Sequence, residues 1–169
     1  MKYLVFLSLF FVGISFSHAN TVIGLINMEA IINKISDGKK IRSKLEKEFN
    51  KKKKTLQKEE ETIKKAQENY KKQSVVLNDK AKMKKEEEIT NMIRGIQQKT
   101  MAYQKEIRDL EAKLKKPLLK KIQAIVDTVS KKENVAMTFE VSTSPVIYAK
   151  EKKDLTGKII EAYNKKYKK

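Results

Sequence analysis

The fold is decided by the stretch ITNMIRGIQQKTMAYQKEIRDLEAKL, residues 89–114. Its apolar positions are separated by alternating steps of four and three residues, and only Thr100 among them is polar. These steps are the a/d rhythm of a coiled-coil helix. Because one helix with a narrow apolar stripe is marginally stable in water, this helix needs a partner. The seam positions are Ile89, Ile93, Ile96, Thr100, Tyr103, Ile107, Leu110 and Leu114.

The predicted partner is the preceding part of the same chain, from Ile41 to Leu77. Its apolar residues pair with those of residues 89–114 so that every pair has the same sum of position numbers. Facing residues of an antiparallel hairpin obey this rule, so we predict a helical arm of about 55 Å that folds back near Asp79–Lys80. The predicted seam pairs are Tyr70 with Ile89, Ile63 with Ile96, Leu56 with Tyr103, Phe49 with Leu110, and Leu45 with Leu114.

The seam of the first helix has few apolar residues. Its alternate positions carry long polar side chains such as Lys52, Glu59 and Gln73. The stems of such side chains cover apolar surface while their polar ends reach water. We therefore expect an arm that bends easily, with a kink at Pro117, where the heptad phase changes.

Segments on both sides of the arm predict a small body and an α+β fold. Residues 21–26 form an apolar run of strand length, and Asn27 is the expected N-cap of a short helix that ends at Ser36–Gly38. After the arm we predict strands at 135–141 and 146–149, joined by a turn at Ser144–Pro145, and a last helix capped by Asp154. This core is small for a lone subunit, which favours an oligomer.

The N-terminus has the pattern of a secretory signal, with a basic start, an apolar run at 4–16, and small residues at Ser17 and Ala19. Cleavage is expected before Asn20. The expected organisation is a signal at 1–19, a body segment at 20–40, an arm at 41–116 with its tip near 74–80, and a second body segment at 117–169.

The formal net charge is +18, and most of the excess lysine lies in the predicted arm. Such an excess attracts nucleic acid, anionic lipid head groups or acidic polypeptides. Export makes nucleic acid the least favoured of the three. For any single lysine, a solvated helix face is the simpler explanation.

Four short segments are distinctive: the strand and cap at 22–28, the LEKEF stretch at 45–49, VIYA at 146–149, and DLT at 154–156. Together they resemble the Skp (OmpH) family of periplasmic chaperones. The resemblance implies a homotrimer in the periplasm, with a β-barrel body joined from three subunits and three helical arms around a basic cavity. It implies that unfolded outer-membrane β-barrel proteins are held there without ATP. A lipopolysaccharide contact has been proposed in the family, and no residues of this arm can be matched to it.

An apolar client would have two kinds of candidate contact on the arm. Consecutive apolar residues lie at the predicted tip. Methionines, which adapt to irregular surfaces, occupy positions outside the seam. Packing across the turn and packing within the arm are the alternative roles. The candidates are Val75, Val76, Leu77, Met83, Met92 and Met101.

The sequence gives little support for an enzyme. The single histidine, His18, belongs to the signal, and the chain has no cysteine, so the mature protein lacks Ser/His, Cys/His and His/Cys metal sites. No glycine-rich phosphate loop is present, and no cofactor is expected. The alternative to a chaperone is an exported coiled-coil structural or adaptor protein that binds anionic lipid or envelope surfaces.

Overall fold

The computed structural model describes residues 21–168. The fold is α+β, with a long helical hairpin and a small body, as predicted. The expected signal at 1–19 lies outside the described residues. In chain order the elements are β1 (Val22–Ile26), α1 (Met28–Lys34), α2 (Ser36–Gln73), α3 (Asp79–Lys132), β2 (Met137–Glu140), β3 (Glu151–Asp154) and α4 (Thr156–Lys166).

Helices α2 and α3 pack against each other as an antiparallel arm. They contain 38 and 54 residues, which correspond to about 57 Å and 81 Å of helix. The chain turns at residues 74–78, and Asn78 Oδ1 accepts a hydrogen bond from the Ala81 amide at 2.9 Å, so Asn78 caps α3. Helix α3 continues without a break through Pro117, and its last part enters the body.

Ion pairs across the two helices report their register. Lys52 pairs with Glu106, and Glu59 pairs with Lys99. Both pairs have the same sum of position numbers, one less than the sum predicted from the apolar residues. Charged side chains beside the seam therefore follow the same antiparallel alignment as the apolar pairing.

The junction of α1 and α2 differs from the prediction. The helix break lies at Ile35, whose backbone is extended, and α2 begins at Ser36, inside the Ser36–Gly38 segment expected to separate the two helices. Gly38 does not break the helix. A Cβ atom at Gly38 would lie 1.8 Å from the Ile32 carbonyl oxygen, so glycine is required there by the close approach of α1 to the first turn of α2.

The sheet has the order β2-β1-β3, and both outer strands run parallel to β1. The strand predicted at Val146–Ala149 is wrong, because the third strand is Glu151–Asp154. Two strands that flank β1 in the same direction require the chain to return along the sheet between them. Residues 146–149 belong to that return connection. Within the described chain the sheet is open at β2 and β3.

The core lies where the last part of α3 meets α1, β1 and α4. Asn27 caps α1 as predicted, since its side chain accepts from the Ala30 amide at 2.8 Å. The prediction that Asp154 caps the last helix is wrong, because the N-cap of α4 is Leu155, although the Asp154 carboxylate accepts from the Thr156 amide at 2.8 Å. The core is small and centred on the root of the arm. Its buried residues are Ile26, Ile31, Ile35, Leu118, Ile122, Ile125, Val129, Leu155, Ile159 and Tyr163.

Candidate functional site

A groove opens between α2 and α3 in the part of the arm nearer the body. Its volume is about 470 Å³, and its apolar surface comes from Phe49, Leu56, Tyr103 and Ile107. Phe49 was predicted as a seam residue, yet 56% of it is exposed. The arm therefore presents apolar surface to solvent along its own seam. The lining is completed by Lys52, Lys53, Gln57, Glu60, Thr100, Gln104 and Arg108.

A lysine at a seam position forms part of the wall of the groove. Lys52 lies across the face of the Tyr103 ring, with Nζ 4.1 Å from the ring centroid, and also pairs with Glu106. The Lys52 side chain is 18% exposed, whereas 56% of Phe49 is exposed. A cation above an aromatic face is attracted by the ring quadrupole, which stabilises this arrangement.

The rim of the groove carries charge of both signs. Lys53 and Arg108 lie at the end nearer the body, and Glu60 lies towards the tip. Within residues 21–168 none of these three side chains forms an ion pair. The groove therefore has a basic end and an acidic end.

Two smaller hollows lie nearer the tip. One, of about 330 Å³, is lined by Ile63, Ile96 and Gly95, and the other, of about 250 Å³, by Tyr70 and Ile89. The predicted partners Ile63 and Ile96, and Tyr70 and Ile89, thus share hollows. Ile63 is buried, and Met92, a predicted client contact, is half-buried and lines both hollows.

The tip carries the most exposed apolar residues of the arm. Val75 and Val76 are 88% and 84% exposed, and Leu77 is half-buried. Met83 and Met101 are also exposed. The remaining predicted seam residues, Leu45, Leu110 and Leu114, are half-buried.

The charges of the arm are only partly neutralised. Ion pairs within one helix join Glu61 to Lys65, Lys105 to Asp109, and Glu111 to Lys115. The hydrogen bond to Glu61 raises the pKa of Lys65. Many lysines have no acidic partner among residues 21–168, including Lys51, Lys58, Lys71, Lys72, Lys80 and Lys82.

One carboxylate joins three helices at the root of the arm. Asp37 Oδ2 accepts hydrogen bonds from Lys121 Nζ at 2.8 Å and from the Tyr163 hydroxyl at 2.9 Å. The Lys121 hydrogen bond lowers the pKa of Asp37, while burial and the Asp37 hydrogen bond raise that of Tyr163. The first turn of α2, the last part of α3 and α4 therefore meet at Asp37.

The body exposes apolar residues in the connection before β3. Ile147 is 99% exposed and Tyr148 is 83% exposed, and both precede the open sheet edge at β3. Side chains of this size are normally covered, and an exposed apolar patch marks an interaction surface.

Residues 21–168 contain no group of three or more His, Cys, Asp or Glu placed to hold a metal ion. Over the same residues, none of the helices combines the length and the hydropathy needed to cross a bilayer.

Comparison with known proteins agrees with this architecture. The family described as outer membrane protein (OmpH-like) matches residues 22–163, from β1 into α4. The chain belongs to the OmpH-like family. The match covers both body segments and the arm, so the family resemblance noted in the sequence is confirmed.

A solved structure supports the OmpH-like fold independently. It is the crystal structure of a Caulobacter crescentus CB15 protein proposed to be an outer membrane chaperone (OmpH-like). The TM-score is 0.71 at 12% identity, over 86% of this chain and 85% of that one. At this identity the likeness establishes the fold alone. No curated protein sequence matches this OmpH-like chain.

The groove of this OmpH-like protein was not predicted as a site. Heptad spacing identifies Phe49, Leu56 and Tyr103 as facing the partner helix, and it does not say whether their neighbours cover them. The signal that could have pointed to the groove is the seam of α2 itself, where Lys52 stands between the apolar Phe49 and Leu56.

Proposed function

We propose that this protein is an ATP-independent holdase of the periplasm, where it binds unfolded outer-membrane β-barrel proteins after Sec export and prevents their aggregation. Export would use the signal at 1–19, with cleavage before Asn20. The proposal includes no catalytic residue and no cofactor.

The observation that carries this proposal is an arm that exposes apolar surface and unpaired lysines together. The groove at Phe49 and the tip at Val75–Val76 offer apolar contacts, and lysines surround both. An unfolded chain exposes apolar side chains and acidic ones, and both find partners on such a surface. Membership of the OmpH-like family and the Caulobacter crescentus fold support the same role.

Holding would be weak at each contact and distributed over many. An exposed ion pair contributes at most about 1 kcal/mol, and salt screens it. Affinity must therefore come from the number of contacts and from confinement between arms. The proposed apolar contacts are Val75, Val76, Leu77, Met83, Met92 and Met101.

Confinement requires more than one arm, and we propose a homotrimer joined through the body. The open sheet edges and the exposed Ile147 and Tyr148 support this arrangement, because another subunit would cover them. A ring of identical subunits uses two different patches of each chain and closes on itself.

The test combines a mass measurement with an aggregation assay. Analytical ultracentrifugation of the mature protein should give three chains per particle. Light scattering should then show that the protein keeps a denaturant-diluted outer-membrane barrel protein soluble without nucleotide. A monomer, or unchanged scattering, would contradict the corresponding part of the proposal.

The second candidate function is an adaptor that binds anionic lipid or lipopolysaccharide at an envelope surface. The tip favours it, because the exposed Val75 and Val76 stand beside Lys71, Lys72 and Lys80. Apolar residues flanked by lysine suit an anionic interface. This function predicts sedimentation with anionic vesicles and no effect on the scattering of an aggregating barrel protein.

A further inference from the structure

We infer that the groove between Phe49 and Tyr103 is a subsite for one apolar side chain of a client segment, preferably aromatic, next to an aspartate or glutamate. The inference rests on the proposed function and gives it a recognition rule. The rule concerns a pair of neighbouring residues in an extended chain and requires no folded client.

The size of the groove limits its occupant. About 470 Å³ falls within the range of about 300–1,000 Å³ that is typical of small-molecule pockets. That space holds one or two side chains and excludes a folded domain. An extended client would therefore insert single side chains while its backbone stays outside.

The walls of the groove favour an aromatic ring. Phe49 is 56% exposed, and the Tyr103 ring lies opposite with Lys52 above it. Aromatic pairs gain free energy from offset or edge-to-face packing beyond the area that they bury. Inserting a client ring would cover Phe49, Leu56 and Ile107 together.

The charged residues at the rim of the groove favour an acidic client residue next to the inserted aromatic side chain. Lys53 and Arg108 stand at the end nearer the body and have no acidic partner among the described residues. The guanidinium of Arg108 can donate two parallel hydrogen bonds to one carboxylate. Glu60 at the opposite end repels a carboxylate, so the acidic residue should lie on the side of the body.

The test uses four short glycine/serine peptides that differ at two central positions, Phe-Glu, Phe-Lys, Ser-Glu and Ser-Lys. Titrations of the isotope-labelled, full-length mature protein are followed by NMR. Phe-Glu should bind at least about tenfold more tightly than Ser-Lys, which corresponds to about 1.4 kcal/mol. The resonances that shift should include those of Leu56 and Ile107.

Matched variants assign the effect to the groove. Phe49→Ser should weaken Phe-Glu binding about tenfold, whereas Leu119→Ser, an exposed apolar change outside the groove, should not. Arg108→Gln should reduce the preference for Phe-Glu over Phe-Lys while Lys53 remains in place, and Arg94→Gln should preserve it. Circular dichroism should show that each variant keeps its helices.

The results separate this inference from the proposed function. Equal binding of all four peptides, or equal losses in Phe49→Ser and Leu119→Ser, would overturn the subsite even if the protein still suppressed barrel aggregation. Selective Phe-Glu binding by a protein that leaves aggregation unchanged would support the subsite and contradict the holdase.

Discussion

Gly38 and Gly95 are both helical glycines, and their surroundings predict opposite effects of alanine. A Cβ atom at Gly38 would lie 1.8 Å from a backbone oxygen, whereas one at Gly95 would meet nothing within 4 Å. Gly38→Ala should therefore destabilise the protein by about 1–3 kcal/mol, the usual range for overpacking. Gly95→Ala should stabilise it by up to about 1 kcal/mol, because alanine favours the helix. Urea unfolding measures both, and a stabilising Gly38→Ala would contradict the close approach of α1 and α2.

Glu140 links the sheet to the start of α1. Its carboxylate accepts hydrogen bonds from the Thr143 hydroxyl and from the amides of Ser142, Thr143 and Met28, which lower its pKa from 4.5 to about 2. A lowered folded-state pKa stabilises the protein above the unfolded value, and this contribution is lost as pH falls.

Glu140→Gln should therefore reduce stability at pH 7, and the difference from the wild type should shrink between about pH 4.5 and about pH 2. Denaturant unfolding at several pH values measures the difference. Glu161→Gln is the control, since Glu161 is exposed and makes no hydrogen bond or ion pair within residues 21–168. A difference independent of pH would show that the Glu140 carboxylate is not stabilised by folding.

The alignment of α2 and α3 in the arm can be tested with introduced cysteine pairs, because the chain has no cysteine of its own. Ile63 and Ile96 line one hollow, so Ile63→Cys with Ile96→Cys should react with a short bismaleimide crosslinker inside one chain. Ile63→Cys with Leu110→Cys should not, since two heptads of helix separate the positions by about 21 Å. Electrophoresis after proteolysis distinguishes the products. Efficient crosslinking of the second pair alone would mean a different alignment of α2 and α3.

The arm was predictable because its signal is local and repeated. Each heptad repeats the same spacing, so a misassigned single residue does not change the prediction of a helical hairpin. Strand β3 was not predictable from the same sequence. Its residues, EKKD, are polar because they lie at a sheet edge, and its parallel partner β1 is distant in sequence. The apolar Val146–Ala149 gave a stronger strand signal in a segment that only returns along the sheet.

The junction of α1 and α2 and the groove at Phe49 could not be predicted from the sequence for a related reason. The helix break at Ile35 depends on the contact of Gly38 with Ile32, which no pattern within a single helix reveals. The groove at Phe49 is lined by side chains from two different helices, such as Lys52 and Tyr103. Spacing identifies which residues face each other, whereas the size of opposing side chains decides whether the space closes.

The net positive charge of the protein predicts that client capture depends on the salt concentration. Raising the salt concentration from about 0.1 M to about 1 M shortens the Debye length from about 10 Å to about 3 Å. Loss of several weak ion pairs should lower the affinity for an acidic unfolded client about tenfold, or about 1.4 kcal/mol. Fluorescence anisotropy measures the affinity, and a client without acidic residues serves as the control. Equal salt dependence of the two clients would contradict an electrostatic contribution.

The central claim is that clients are held by the arm, and site-specific photo-crosslinking tests it most directly. A benzophenone side chain would replace Val76 or Met101 on the arm, or Leu119, an exposed apolar residue of the body. With an unfolded outer-membrane barrel protein bound, the two arm positions should give crosslinked products and the position at Leu119 should not. Products from Leu119 alone would contradict the claim and would assign client binding to the body.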